Sequence, residues 1–145
     1  MRSPGASRVD GGARRAVLAA VAHVRARWPF VPAVAVVAGT GLAGLSEGLG
    51  DSVRLAYGDV PGWPDATTPG HVGALTLGRM GGLGVAVLGG RSHYYEGLGA
   101  WAVGFGVRVM AELGAGVLVV TGVSGSLRED LAPGSLMVVR DHLYL

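Results

Sequence analysis

The segment Gly90-Arg91-Ser92-His93-Tyr94-Tyr95-Glu96-Gly97 gathers a cation, a titratable ring, two phenols and a carboxylate between bounding glycines. It follows directly on the apolar run Leu83–Leu88, so the chain leaves a buried stretch and at once presents reactive side chains. Arg91 offers a fixed fork of donors suited to phosphate or carboxylate. His93 supplies a further hydrogen bond and changes charge near neutrality. Tyr95 offers a flat apolar face with a hydroxyl tip, suited to a sugar ring. Set against this is an ordinary polar surface loop, since loops are polar by default and also carry function.

Two more glycine-rich turns end apolar runs. Gly39-Thr40-Gly41 follows Ala33–Ala38 and leads into a helical stretch, giving a hydroxyl and backbone amides near a helix start. Gly122–Ser126 follows Gly116–Thr121 and contributes backbone amides, Ser124 and Ser126. In an open α/β sheet, ligands sit beyond the carboxyl ends of the strands. If the three strands are neighbours, the turns converge, and a hydroxyl, guanidinium, imidazole and amides together describe a phosphate seat. The rival reading is dinucleotide binding. Gly39-Thr40-Gly41-Leu42-Ala43-Gly44 satisfies the G-x-G-x-x-G spacing, with Asp59 downstream. Asp59, however, lies in the turn Tyr57–Gly62 rather than at the end of a second long strand.

The elements that must position these turns are legible as periodicities. Ala13–Trp28 carries Val17, Leu18, Val21 and Val24 at helical spacing and is stopped by Pro29. Ala33–Ala38 is a buried strand, Leu42–Leu49 a short helical stretch and Val53–Tyr57 a strand. Gly58–Gly70 is a proline-bearing loop with Trp63. Val72–Arg79 and Leu83–Leu88 form a hairpin through Met80-Gly81-Gly82. A helix over Ala100–Leu113, a buried strand over Gly116–Thr121 and a last strand over Leu136–Arg140 complete the chain. The expected architecture is α/β, a three-layer αβα arrangement on a mixed central sheet. Residues 1–12 form a polar tail and 13–145 the folded unit.

Composition removes several function classes. The 145 residues suit one domain; half are hydrophobic and 15% charged, which argues against disorder. Cysteine is absent, so disulfides, thiolate metal sites and a cysteine nucleophile are excluded. The net charge is +2, and Arg14, Arg15, Arg25 and Arg27 lack interleaved aromatics. They read as the solvated face of a helix, not as a nucleic-acid grip. Arg79, Arg108 and Glu112 interrupt every apolar stretch before membrane-spanning length. With no secretory leader pattern at the start, a cytoplasmic location is expected. No histidines and carboxylates stand at metal-ligand spacing, so no metal is expected. Ser124 lacks the G-x-S-x-G elbow. His142 reads as a structural histidine partnered by Asp141, His23 as solvated, and Trp28, Trp63 and Trp101 as packing residues.

With these residues assembled, the chain resembles the trimeric purine nucleoside phosphorylases of the inosine/guanosine type, from about Ala13 to Leu145. The matching pieces are Gly39-Thr40-Gly41-Leu42, Tyr57-Gly58-Asp59-Val60-Pro61, Pro69-Gly70-His71-Val72-Gly73 and Gly90–Gly97. Leu118-Val119-Val120-Thr121, Pro133-Gly134-Ser135-Leu136 and Arg140-Asp141-His142 follow in order. The methylthioadenosine phosphorylase branch is a looser cousin, suggested by Thr40 and by Gly125-Ser126-Leu127-Arg128-Glu129. The Arg-x-His-x-Tyr-Glu-Gly arrangement favours the purine nucleoside branch.

The resemblance implies a pentosyltransferase of purine salvage, in which phosphate cleaves the N-glycosidic bond of a purine nucleoside to give free base and pentose 1-phosphate. It implies that Thr40, Arg91, His93 and the backbone amide of Val123 bind phosphate, with His93 and Glu96 as the catalytic pair. Tyr95 corresponds to the residue that packs on the ribose, and His71 to a histidine at the mouth of the site. Phosphate is then a co-substrate, no cofactor is implied, and the complete family subunit forms a homotrimer. Two departures stand out. The family's Thr-Asn-Ala-Ala-Gly-Gly is here Thr121-Gly122-Val123-Ser124-Gly125-Ser126. The chain also corresponds to only the first half of a family subunit, without the residues that hold the purine. Weak activity, or a truncated non-catalytic phosphate or nucleotide binder, is the expectation that follows. Which purine base is accepted stays open.

Overall fold

A computed structural model describes residues 11–64 and 73–143. Helix α1 (Gly11–Arg25) buries Val17, Ala20, Val21 and Val24, the stripe its periodicity marks. It opens two residues ahead of Ala13. Hydrogen-bonded turns through Trp28 continue it, and His23 and Arg25 stand at its carboxyl end, where the helix dipole favours positive charge. Arg14, Arg15, Arg25 and Arg27 are all exposed, as expected of a solvated face. His23 is different from expectation. It is half-buried, and its Nε2 is buried with no hydrogen-bond partner among the described residues.

Five strands form one sheet: β1 (Val34–Ala38), β2 (Gly50–Ala56), β3 (Ala74–Met80), β4 (Leu83–Gly89) and β5 (Val117–Val120), in the order β2-β3-β4-β1-β5. β1 pairs in parallel with both β4 and β5, while β2–β3 and β3–β4 are antiparallel. The sheet is therefore mixed, as anticipated. Met80 pairs with Leu83 across the hairpin, and Gly81 and Gly82 supply the two left-handed turn residues, at φ 57° and 81°.

Strand alternation sends Ala35, Val37, Leu75, Leu77, Ala86 and Leu88 to one face, where they pack against α1 and α3 (Phe105–Leu113). Val36, Ala38, Val85 and Val87 point to the other face, against Leu49 of the turn that follows β1. Among the described residues, α-helices cover one face of the sheet and the 3₁₀ helix Ala43–Gly48 packs its Leu45 on the other, so the α/β architecture is present but incomplete.

Three further expectations need correction. The helix over 100–113 is two pieces, α2 (Ala100–Val103) and α3, parted at Gly104. Arg108 reaches back over the break, its guanidinium 4.2 Å from the Trp101 ring centre. β5 is a strand, but not a buried one: its side chains are 42–62% exposed, because β1 covers one edge and no described strand covers the other. Leu136–Arg140 is no strand. Its apolar side chains are exposed, and it lacks the neighbouring ladder that an extended segment needs to satisfy its backbone. The tryptophans pack as expected; Trp63 stacks on Tyr57 at 4.6 Å and meets Phe105 edge-on.

Candidate functional site

The parallel trio β4-β1-β5 aligns Gly89, Ala38 and Val120 at one end of the sheet, so the turns after these strands leave side by side. They meet at Thr121. Its Oγ1 accepts a hydrogen bond from the Gly39 backbone N–H at 2.8 Å and donates to the Val37 carbonyl at 3.0 Å. Its own backbone N–H donates to the same Val37 carbonyl, at 3.1 Å. Its carbonyl accepts from Arg91 Nη1 at 3.0 Å. Gly39 is confined by this arrangement: a Cβ there would lie 2.7 Å from the Thr121 carbonyl oxygen.

Arg91 also directs Nε at His93 Nε2, 3.4 Å away, and His93 Nδ1 lies 2.9 Å from Glu96 Oε1. A proton on Nδ1 lets the ring donate to Glu96 and accept from Arg91 at once. The carboxylate oxygen also accepts the His93 backbone N–H at 2.6 Å, closing the single 3₁₀ turn Tyr94–Glu96. Gly97, left-handed at φ 82°, ends that turn. Glu96 has a side chain only 7% exposed, so its charge is held inside the loop where water screens it little.

The tyrosine that precedes this loop in sequence anchors it from below. Tyr57, at the end of β2, is buried and donates its hydroxyl to the Gly90 carbonyl at 2.7 Å. Burial pushes its phenol well above the ordinary value, which keeps it a donor. Beside Arg91 a cavity of about 420 Å³ opens between Val37, Leu88 and Val120 of the sheet and Val103 and Val107 of the helices.

Of the residues singled out in the sequence, Arg91, His93 and Glu96 form one connected chain of hydrogen bonds. Tyr95 is stacked on the His93 ring, centres 4.8 Å apart, with its other face open at 76% exposure. Thr40 is exposed one residue beyond Gly39, and Val123 is exposed two residues beyond Thr121. His71 lies outside the described residues. Asp59 sits in the 3₁₀ turn Tyr57–Asp59, and β2 runs antiparallel to its neighbour; the parallel β-α-β unit of dinucleotide binding is not built here. The pairing of His142 with Asp141 runs through the His142 backbone N–H, 2.8 Å from Asp141 Oδ1, on an exposed segment. Thr121 and Tyr57 also build the site, although the sequence marks them only as members of longer motifs. A hydroxyl placed just where an apolar strand ends was the available signal for Thr121.

The mixed sheet and its cluster of strand-end turns define an α/β protein with a site at the carboxyl ends of its parallel strands. Residues 33–145 match the family model described as the phosphorylase superfamily, and the chain belongs to that family. Among curated proteins it is similar to purine nucleoside phosphorylase 1 of Geobacillus stearothermophilus, 37% identical over 130 residues, 90% of this chain and 47% of the relative. It is 41% identical to the purine nucleoside phosphorylase of Bos taurus over 114 residues, 79% of this chain and 39% of the relative. Among solved structures, isoform 2 of purine nucleoside phosphorylase from Schistosoma mansoni, in complex with cytosine and ribose-1-phosphate, superposes with a TM-score of 0.74 at 31% identity. That match covers 81% of this chain and 41% of the other. The chain thus spans less than half the length of the relatives it matches. No helix among the described residues is long and apolar enough to cross a membrane.

Proposed function

We propose that residues 13–145 are the first half of a purine nucleoside phosphorylase domain and that they seat the inorganic phosphate of the reaction. The observation that carries this reading is the meeting of Arg91, His93, Glu96 and the Gly39 turn around Thr121, at the carboxyl ends of three neighbouring parallel strands. The names and bound ligands of the relatives support it. Arg91 and His93 hold the phosphate, Thr40 and the Val123 amide complete the seat, and Glu96 fixes the His93 ring, which donates to the anion from Nε2 as an imidazolium in place of accepting from Arg91. Tyr95 turns its exposed face to the pentose, and His71 stands at the entrance.

A phosphate oxygen forms a bond to C1′ as the N-glycosidic bond breaks, its electron pair leaving with the base, which takes up a proton. Positive charge gathers on the sugar in the transition state. An anchored dianion lies in line as nucleophile and stabilises that charge, so positioning and electrostatics do most of the work. No cofactor takes part. The complete protein acts in the cytoplasm as a homotrimer.

The test is a phosphate titration followed by ³¹P NMR, run beside an assay of base release from inosine and methylthioadenosine. The wild-type chain binds phosphate and Arg91→Ala does not. Any base released by the chain is phosphate-dependent, comes from inosine in preference to methylthioadenosine, and is slow. A chain indifferent to phosphate in both assays overturns the proposal. Binding without base release leaves a phosphate-binding module and removes the enzyme from this chain.

A further inference from the structure

We infer that Thr121 is the positioning residue of the anion seat: it clamps the Gly39 turn and aims the Arg91 guanidinium. This inference rests on the phosphate reading above and extends it to a residue outside the set that holds the phosphate there.

The clamp has two sides. Toward β1, the Thr121 hydroxyl takes the Gly39 N–H and gives its own proton to the Val37 carbonyl, while the Thr121 N–H goes to the same carbonyl. Three hydrogen bonds therefore fix this residue to the last turn of backbone before Thr40. Toward β4, its carbonyl takes one N–H of Arg91 Nη1. A guanidinium is planar, so one bond at Nη1 and a second contact at Nε with His93 set the orientation of the whole fork. Nη2 makes no hydrogen bond among the described residues, and its two N–H donors are what the clamp presents to an anion.

The short approach of Gly39 belongs to the same device. The Thr121 carbonyl is pressed so close that position 39 has no room for a Cβ. Displacing Thr121 thus disturbs both the amide turn and the cation on either side of the seat. The methyl of Thr121 makes none of these bonds; the hydroxyl makes two. Serine keeps all four bonds; valine, of nearly the same shape, keeps the two backbone ones, loses the two hydroxyl ones and leaves the part-buried Gly39 N–H without its acceptor, so the carbonyl that aims Arg91 is held less firmly.

The experiment compares the full chain with Thr121→Val and Thr121→Ser in the ³¹P titration, with Arg91→Ala as the control that abolishes binding. Valine weakens phosphate binding about tenfold, the loss of roughly one aligned hydrogen bond, and serine restores it to within about twofold. A valine variant that binds as the wild type does, while Arg91→Ala has lost binding, overturns the clamp. A second measurement judges it apart from any phosphate: the heteronuclear NOE of the Arg91 Nε–H. In the wild-type chain it is near the rigid backbone value, falls in Thr121→Val and recovers in Thr121→Ser. A mobile Arg91 Nε–H in the wild type overturns the clamp without any variant. A rigid one in a chain that binds no phosphate upholds the clamp and sinks the function proposed above.

Discussion

One carboxylate oxygen of Glu96 holds His93 at two points, 2.6 Å from its backbone nitrogen and 2.9 Å from ring Nδ1. The loop conformation and the ring orientation therefore depend on the same atom. Glutamine in place of Glu96 keeps a neutral acceptor and the turn, but loses the charge; alanine loses both bonds. Phosphate affinity measured by ³¹P titration is expected to fall modestly in Glu96→Gln and by about tenfold or more in Glu96→Ala, since hydrogen bonds to charged groups contribute ~1.5–3 kcal/mol. Affinities in both variants equal to that of the wild type would show that neither bond governs the seat.

Gly106 predicts a packing penalty. A Cβ at this position would lie 2.6 Å from Leu88 Cδ2 and 2.9 Å from Trp63 Cζ2, so α3 approaches the sheet only because that atom is missing. Gly106→Ala is expected to destabilise the chain by about 1–3 kcal/mol, seen as a Tm lowered by several degrees. An unchanged Tm would mean that Trp63 swings aside at no cost.

These two residues also mark what the sequence makes legible. The order and type of the strands, the Gly81-Gly82 hairpin and the crowding of Arg91, His93 and Glu96 are local patterns, and local patterns survive folding. The α1 stripe of Val17, Val21 and Val24 was equally plain. The break at Gly104 was not, because a helix interior with two glycines reads the same whether the glycines are tolerated or needed. Thr121 was hidden for another reason. Its partners, Gly39 and Arg91, are 82 and 30 residues away, and only the parallel pairing of β1 with both β4 and β5 brings them together. Burial of β5 is not legible because an apolar run is the same string on a covered or an open edge; coverage depends on a neighbour that the run does not contain. The same holds for Leu136–Arg140, whose apolar residues propose a strand that no described neighbour accepts.

The open edge makes a prediction of its own. Val117–Val120 is an apolar strand with one unpaired edge, and Leu136–Val139 adds exposed apolar side chains nearby in sequence. Unprotected edges of this kind template pairing with other chains. The apparent molar mass of the purified chain by light scattering is expected to rise with concentration, and Val119→Lys to suppress the rise by placing a charge on the strand. An apparent mass that stays at the monomer value at every concentration in the wild type would show that the edge is covered.

Tyr57 gives the pH dependence. Its phenol is buried, donates to the Gly90 carbonyl at the start of the Arg91 loop and is shifted upward by desolvation. In the unfolded chain the same phenol ionises near pH ~10. Above that pH the unfolded state has released a proton that the folded state keeps, so the unfolded state binds fewer protons and stability falls as pH rises. Below it both states are protonated and the contribution is fully present. Urea unfolding between neutral pH and pH ~11 is therefore expected to lose stability steeply in the alkaline part of the range. Tyr57→Phe removes the titrating group. It is expected to be less stable than wild type at neutral pH by about 1 kcal/mol, the net value of one buried hydrogen bond, and to lose less on going alkaline. Because Gly90 then has no hydroxyl beneath it, the variant also binds phosphate less tightly at neutral pH. If the wild type and Tyr57→Phe decline in parallel above pH ~10, the phenol is ionising in the folded chain and does not support the loop.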